Sequence, residues 1–194
     1  MLLTLVLTLL SVTVWSLQPG LVHVVVQTDL GEIEMAIDTV RAPVTAANFL
    51  KYVDAGLYDG GLFHRTVRPD NQREKPVKIA VIQGAANTAR KIEFFPPIAL
   101  ERTNQTRLLH KDGAVSMARL GVDTATEEFF ICVGDQPELD FGGKRNPDGQ
   151  GFAAFGRVVR GMDVVRRIQE SPADGETLRP PIKIVRVRRS SGGL

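Results

Sequence analysis

The chain has 194 residues, 43% hydrophobic and 24% charged, a balance that suits one domain with a continuous core and excludes a disordered or fibrous polypeptide. Lys plus Arg number 24 against 22 for Asp plus Glu, and a net charge of +2 gives no general attraction to nucleic acid. Cys132 is the single cysteine, which excludes an internal disulfide, and its neighbours Phe130, Ile131 and Val133 predict a buried thiol.

Met1 to Ser16 carry no charged side chain and are dominated by Leu, Val and Thr. The run falls short of the roughly 20 residues that cross a bilayer, and Val14 and Ser16 suit a signal-peptidase site. Residues 1–17 are therefore predicted to be an export signal, which would make the mature protein periplasmic or secreted. The lack of Lys or Arg ahead of the apolar run keeps an uncleaved membrane anchor as the alternative. If the signal is removed, no stable membrane partner is expected.

Leu21 to Thr28 and Glu32 to Ile37, rich in β-branched residues and broken by Asp29-Leu30-Gly31, predict a hairpin. Ala42-Pro43 opens a helical pattern with Val44, Ala47, Phe49, Leu50 and Val53 near one face, stopped at Gly56. A short strand at Leu62 to Val67 is followed by a polar, two-proline loop, Arg68 to Lys78, and then by a strand at Ile79 to Gln83. The middle has weak periodicity, with Phe94 to Ile98 extended. Gly113 to Ala118 and Phe129 to Val133 read as strands, Lys144 to Gly151 as a turn cluster, and Phe152 to Val159 as a further strand. A second helix starts at Gly161-Met162-Asp163, with Asp163 as its expected cap and Met162, Val165 and Ile168 on one side. An alternating strand, Ile182 to Val187, precedes a flexible tail at residues 189–194. Many short strands with two helices predict a mainly β, closed or nearly closed antiparallel barrel.

Several chemistries fail on residue supply. His23, His64 and His110 are the only histidines, and none lies in a zinc-binding spacing, so no metal is expected. There is no Gly-x-Ser-x-Gly elbow and no phosphate-binding glycine loop. Asn146-Pro147-Asp148-Gly149 looks like a piece of a calcium loop but lacks the further carboxylate, and reads as a turn.

Phe63-His64-Arg65, Ile82-Gln83-Gly84, Ser116-Met117-Ala118, Phe129-Phe130-Ile131, Leu139-Asp140 and Phe155-Gly156-Arg157-Val158 occur in the order found in cyclophilin-type peptidyl-prolyl cis/trans isomerases. Ala42-Pro43-x-Thr45-x-x-Asn48-Phe49 is similar to the family's first helix. The resemblance covers residues 22–188. It implies an eight-stranded antiparallel barrel capped by two α-helices, no metal, no cofactor, and a site on the barrel's outer face for proline-containing peptides and unfolded proteins. Residue by residue, it implies Arg65 as the catalytic group and Phe63, Val81, Gln83, Met117, Ala118, Phe130 and Leu139 as substrate-binding. A lone barrel of this kind is expected to be a monomer. The chain departs from the family pattern with Ala80, Arg119, Glu128, Glu138 and Phe152, which predicts a shallower apolar wall and an Arg119–Glu128 charge pair beside the groove. Arg119, Glu128 and Phe152 become candidate specificity residues. The rival reading keeps the barrel as a proline-peptide binding module, or chaperone-like scaffold, with little or no turnover.

Overall fold

Val24 and Val26 on one strand, and Ile33, Met35 and Ile37 on the next, are wholly buried, as the alternation of the first hairpin requires. These strands are β1 (Leu21–Thr28) and β2 (Gly31–Asp38) in a computed structural model that describes residues 20–89 and 94–190. Their turn is tied by Thr28, whose hydroxyl donates to Gly31 O at 2.8 Å and accepts the Leu30 N–H at 3.1 Å. Gly31 has φ +131°, and a Cβ there would meet Val164 at 3.0 Å, so backbone and packing both require glycine.

The chain continues through β3 (Leu62–Val67), β4 (Val81–Ala85), β5 (Ala114–Met117), β6 (Phe129–Cys132), β7 (Ala153–Arg160), β8 (Ala173–Asp174) and β9 (Thr177–Arg189). Neighbours pair antiparallel in the order β1-β2-β7-β5-β6-β4-β3-β9, and β9 pairs again with β1. The result is the expected closed eight-stranded barrel, with β8 a two-residue addition beside β9. Closure leaves the eight strands without an open edge.

Among the described residues three α-helices accompany it: α1 (Pro43–Asp54), the single turn α2 (Thr103–Thr106) and α3 (Met162–Glu170). α1 packs against β9, β7 and β2, and α3 against β2, β3 and β4. No helix among the described residues is long and apolar enough to cross a membrane. The buried stripe of α1 is Ala46, Phe49, Leu50 and Val53, whereas Val44 and Ala47, expected inward, face solvent. The helix start explains the rotation: Glu101 accepts the N–H groups of Val44 (3.1 Å) and Thr45 (2.7 Å) and the Thr45 hydroxyl (2.6 Å), which turns Thr45 inward. At α3 the cap is Gly161 in a left-handed conformation, not Asp163, which lies inside the first turn and pairs with Arg167 at 3.4 Å.

Ile79 and Ala80 were expected in a strand but precede β4. Their backbone groups are taken by loop side chains: Gln72 bonds both the N–H and the C=O of Ile79, and Gln136 accepts the Ala80 N–H at 3.1 Å. At the other end, Arg189 was expected in the tail but closes β9 opposite Val24, its guanidinium on Asp54 at 2.7 and 2.6 Å. The predicted export signal, residues 1–17, and residues 191–194 of the tail lie outside the described residues.

The barrel interior is aromatic. Phe129 meets Phe49, Tyr58 and Phe63 edge-on at 5.5, 5.5 and 5.8 Å between ring centres.

Candidate active site

A β-bulge decides which side chains of β3 face outward. Phe63 lies opposite Gly84 and Arg65 opposite Gln83, so three residues of β3 span two of β4, with His64 as the extra one. Unbroken alternation would send Phe63 and Arg65 to the same face. The bulge separates them: Phe63 enters the barrel and Arg65 lies outside it. Phe63, expected in the substrate pocket, is therefore core. Met117 is core too, buried with Val115 in the interior cluster, while the intervening Ser116 bonds His110 outside.

Arg65 stands in a hydrogen-bonded chain. Its Nε and Nη2 donate to Glu176 Oε2 at 2.9 and 2.5 Å, and Nη1 donates to Gln83 Oε1 at 2.8 Å. Gln83 Nε2 in turn donates to Glu128 Oε2. Both ends of the chain are carboxylates, so the amide of Gln83 is fixed with its oxygen toward the guanidinium and its nitrogen toward Glu128. A guanidinium has five N–H groups; three are spent on Glu176 and Gln83, and two remain for a ligand.

Beside this chain lies a cleft of about 430 Å³. Of the expected site residues, Arg65, Val81, Gln83, Ala118, Phe130 and Leu139 line it, as do Arg119, Glu128 and Phe152. Its floor is an apolar group on the outer side of the barrel, in which Phe130, Val81 and Leu139 pack with Val67, Ile79 and Cys132. Phe130 is held from two directions: the His110 ring stacks on it at 5.9 Å and 13°, and Phe152 meets it edge-on at 5.4 Å. His110 is clamped in turn, Nδ1 to Asp140 at 2.7 Å and Nε2 to the Ser116 hydroxyl at 2.9 Å. Leu139-Asp140 thus supplies one cleft residue and one support. Behind the floor, burial pushes the Cys132 thiol far above its ordinary pKa, so it stays protonated and inert.

The expected Arg119–Glu128 pair does not form. Arg119 donates to both oxygens of Asp148, at 2.7 and 3.0 Å, and to Gly151 O, and it lies over the Phe152 ring at 5.2 Å. Its hydrogen bonds hold the Asp148 carboxyl below the usual aspartate pKa, helped by the Gln150 N–H. The 146–149 segment is the predicted turn, closed by Gly149 N–H on Asn146 O at 3.0 Å. Glu138 does not line the cleft; its carboxylate accepts the Lys144 N–H at 2.8 Å and shapes the loop that follows.

Sequence reasoning missed Glu176, Ile79, Arg145 and Asn146. Glu176 reaches Arg65 across 111 residues of chain through the β8–β9 turn, and no spacing rule signals that. Ile79 and Arg145 arrive because the Arg68–Lys78 loop folds back. Gln72, at 2% exposure, bonds Arg68 O and both backbone groups of Ile79, and Arg145 Nη1 donates to Gln72 Oε1 and Val77 O, each at 2.7 Å.

Comparison with known proteins agrees with this geometry. The family model described as cyclophilin type peptidyl-prolyl cis-trans isomerase/CLD matches residues 23–189. The chain is 36% identical over 171 residues to peptidyl-prolyl cis-trans isomerase A of Dickeya dadantii, covering 85% of this chain and 82% of that protein. It is 31% identical over 171 residues to a peptidyl-prolyl cis-trans isomerase of Acinetobacter baylyi, covering 85% and 84%. The fold is shared with the crystal structure of a Cryptosporidium parvum cyclophilin type isomerase, with a TM-score of 0.71 at 20% identity over 89% of this chain and 99% of that one. A second crystal structure of that protein, in the presence of the dipeptide Ala-Pro, gives a TM-score of 0.70. Matched along almost the whole barrel, the chain belongs to the cyclophilin-type peptidyl-prolyl cis-trans isomerase family.

Proposed function

We propose that the cleft beside Arg65 accelerates rotation about X-Pro bonds in unfolded exported proteins, with the chain acting as a monomer. An X-Pro amide resists rotation by about 18–20 kcal/mol because the nitrogen lone pair is delocalised into the carbonyl. Twisting the bond ends that delocalisation and makes the nitrogen a basic acceptor. A guanidinium N–H beside it then makes a hydrogen bond that is strong in the twisted state and nearly absent in either planar isomer, which is the differential binding that catalysis needs. Arg65 suits this task because it stays charged and keeps two N–H groups unspent after Glu176 and Gln83 are served.

A charge-assisted hydrogen bond is worth about 1.5–3 kcal/mol, or about ten- to a hundredfold in rate. The rest comes from holding the proline ring on Phe130, Val81 and Leu139 so that the acyl side turns against a fixed anchor, out of the water that stabilises the planar amide. The observation that carries the reading is Arg65 and Phe130 on one cleft wall. The Cryptosporidium structure solved in the presence of Ala-Pro supports a proline dipeptide as ligand class. Export is supported by the uncharged apolar residues 1–16.

The test is NMR exchange on an X-Pro peptide, with no protease present. Wild type is expected to speed exchange well above buffer, and Arg65→Ala to lower kcat/KM by about ten- to a hundredfold. A wild-type rate equal to buffer, with peptide still bound, would replace catalysis by a binding role. Mass spectrometry of the mature N-terminus tests export; an intact residue 1 would refute cleavage.

A further inference from the structure

Three arginines line the cleft, and they are not equivalent. Arg65 is paired with Glu176 and Arg119 with Asp148, but Arg145 has no carboxylate within salt-bridge distance among the described residues. It is nonetheless held in place. Its backbone N–H bonds Glu138 O at 3.1 Å, and Nη1 alone serves both Gln72 Oε1 and Val77 O. Its Nε and Nη2 therefore have no acceptor among the described residues. The next residue, Asn146, also lines the cleft, and its Nδ2 is the one buried side-chain polar atom among the described residues without a hydrogen-bond partner.

We infer that Arg145 and Asn146 form an acceptor-seeking end of the cleft that takes the carboxylate of an acidic side chain near the substrate proline. Two adjacent residues with unspent donors, one of them a cation fixed by the Arg68–Lys78 loop, make a preorganised place for a bidentate acceptor. Burial lowers the pKa of the half-buried Arg145; Glu176 opposes the shift and the Arg65 cation adds to it. An entering carboxylate would give the cation the acceptor it lacks. Glu127 and Glu128 also line the cleft but are not among the charges that act on Arg145, so an acidic residue is favoured beside Arg145 and not beside these two carboxylates, and the preference depends on its position relative to proline. This rests on the isomerase reading and refines it to a substrate class.

The experiment compares C-terminally amidated X-Pro peptides that differ only by Glu or Gln at the position before proline or at the first or second position after it. Exchange is measured by NMR, and affinity by chemical-shift titration of the same peptides. At one position the Glu peptide is expected to exceed its Gln twin about tenfold in kcat/KM at low salt, the worth of a hydrogen-bonded charge. Arg145→Met should bring that ratio to about one and Arg145→Lys should keep part of it, because the charge survives without the planar fork. Gln72→Ala, which loosens the loop but keeps the cation, should leave the Glu peptide ahead. Equal handling of the twins by wild type, or a ratio unchanged in Arg145→Met, would overturn the subsite. So would a preference seen only with an unblocked C-terminus. If no peptide is turned over, the isomerase reading fails instead, and the affinities of the twins still decide the subsite.

Discussion

The two faces of strands β3, β4 and β6 follow different designs. Inside the barrel, Phe63 and Phe129 join Phe49, Tyr58 and Ile131 in a buried, largely aromatic cluster in which Phe129 alone touches three rings. Outside, Arg65, Gln83 and Phe130 are held by a short series of partners: Glu176 to Arg65, Arg65 to Gln83, Gln83 to Glu128, and His110 and Phe152 against Phe130. Stability is pooled on the inner face, while geometry on the outer face is passed from one bond to the next. Substitutions inside should therefore cost folding, and substitutions outside should cost function.

The largest expected effect is on the inner face. Phe129→Ala removes the ring shared by three aromatic contacts and should destabilise by about 3–5 kcal/mol, measured by urea unfolding, while the molecules that remain folded keep their kcat. A fall in kcat with unchanged stability would erase the contrast. Next comes Glu176→Ala, which takes away the acceptor for two Arg65 N–H groups. It should lower kcat about three- to tenfold with KM within about twofold, and Glu176→Gln should restore most of the rate because an amide oxygen accepts the same bonds. Recovery failing with Gln would mean that the charge of Glu176, and not its position, sustains Arg65.

The smallest effect tests the outer clamp by pH. Arg119 holds Asp148 below its ordinary value near 3.8, so the stabilisation from this carboxylate is complete above that value. It is lost as the pH falls through the lower pKa of the folded state. Asp148→Asn should cost about 1 kcal/mol at neutral pH, and the gap to wild type should shrink only on the acid side of about pH 4. A gap that closes between pH 5 and 7 would point to another group.

The barrel was legible because its signals are local. β-branched alternation marked β1 and β2, and the interval of Asp29 and Leu30 marked their turn. The α1 stripe was legible as helix but rotated, since Glu101, distant in sequence, fixes the first turn. The cleft was half legible. Arg65, Gln83 and Phe130 sit in short motifs, but the bulge at His64, which moves Phe63 inward, has no composition cue. Arg119 was matched with the wrong acid because the 144–151 turn, which carries Asp148, lies 29 residues further on and returns beneath it. Glu176 and Arg145 became visible only when loops far apart in sequence were brought to one wall.

The pairing of β1 with β9 sets the order of assembly. Val24 faces Arg189 across that pairing, so the cylinder cannot be sealed until almost all of the described chain has left the ribosome. Contacts of such long sequence separation are entropically late and slow to form. Until β1 and β9 pair, a nascent chain of this design is an unsealed sheet with two open edges.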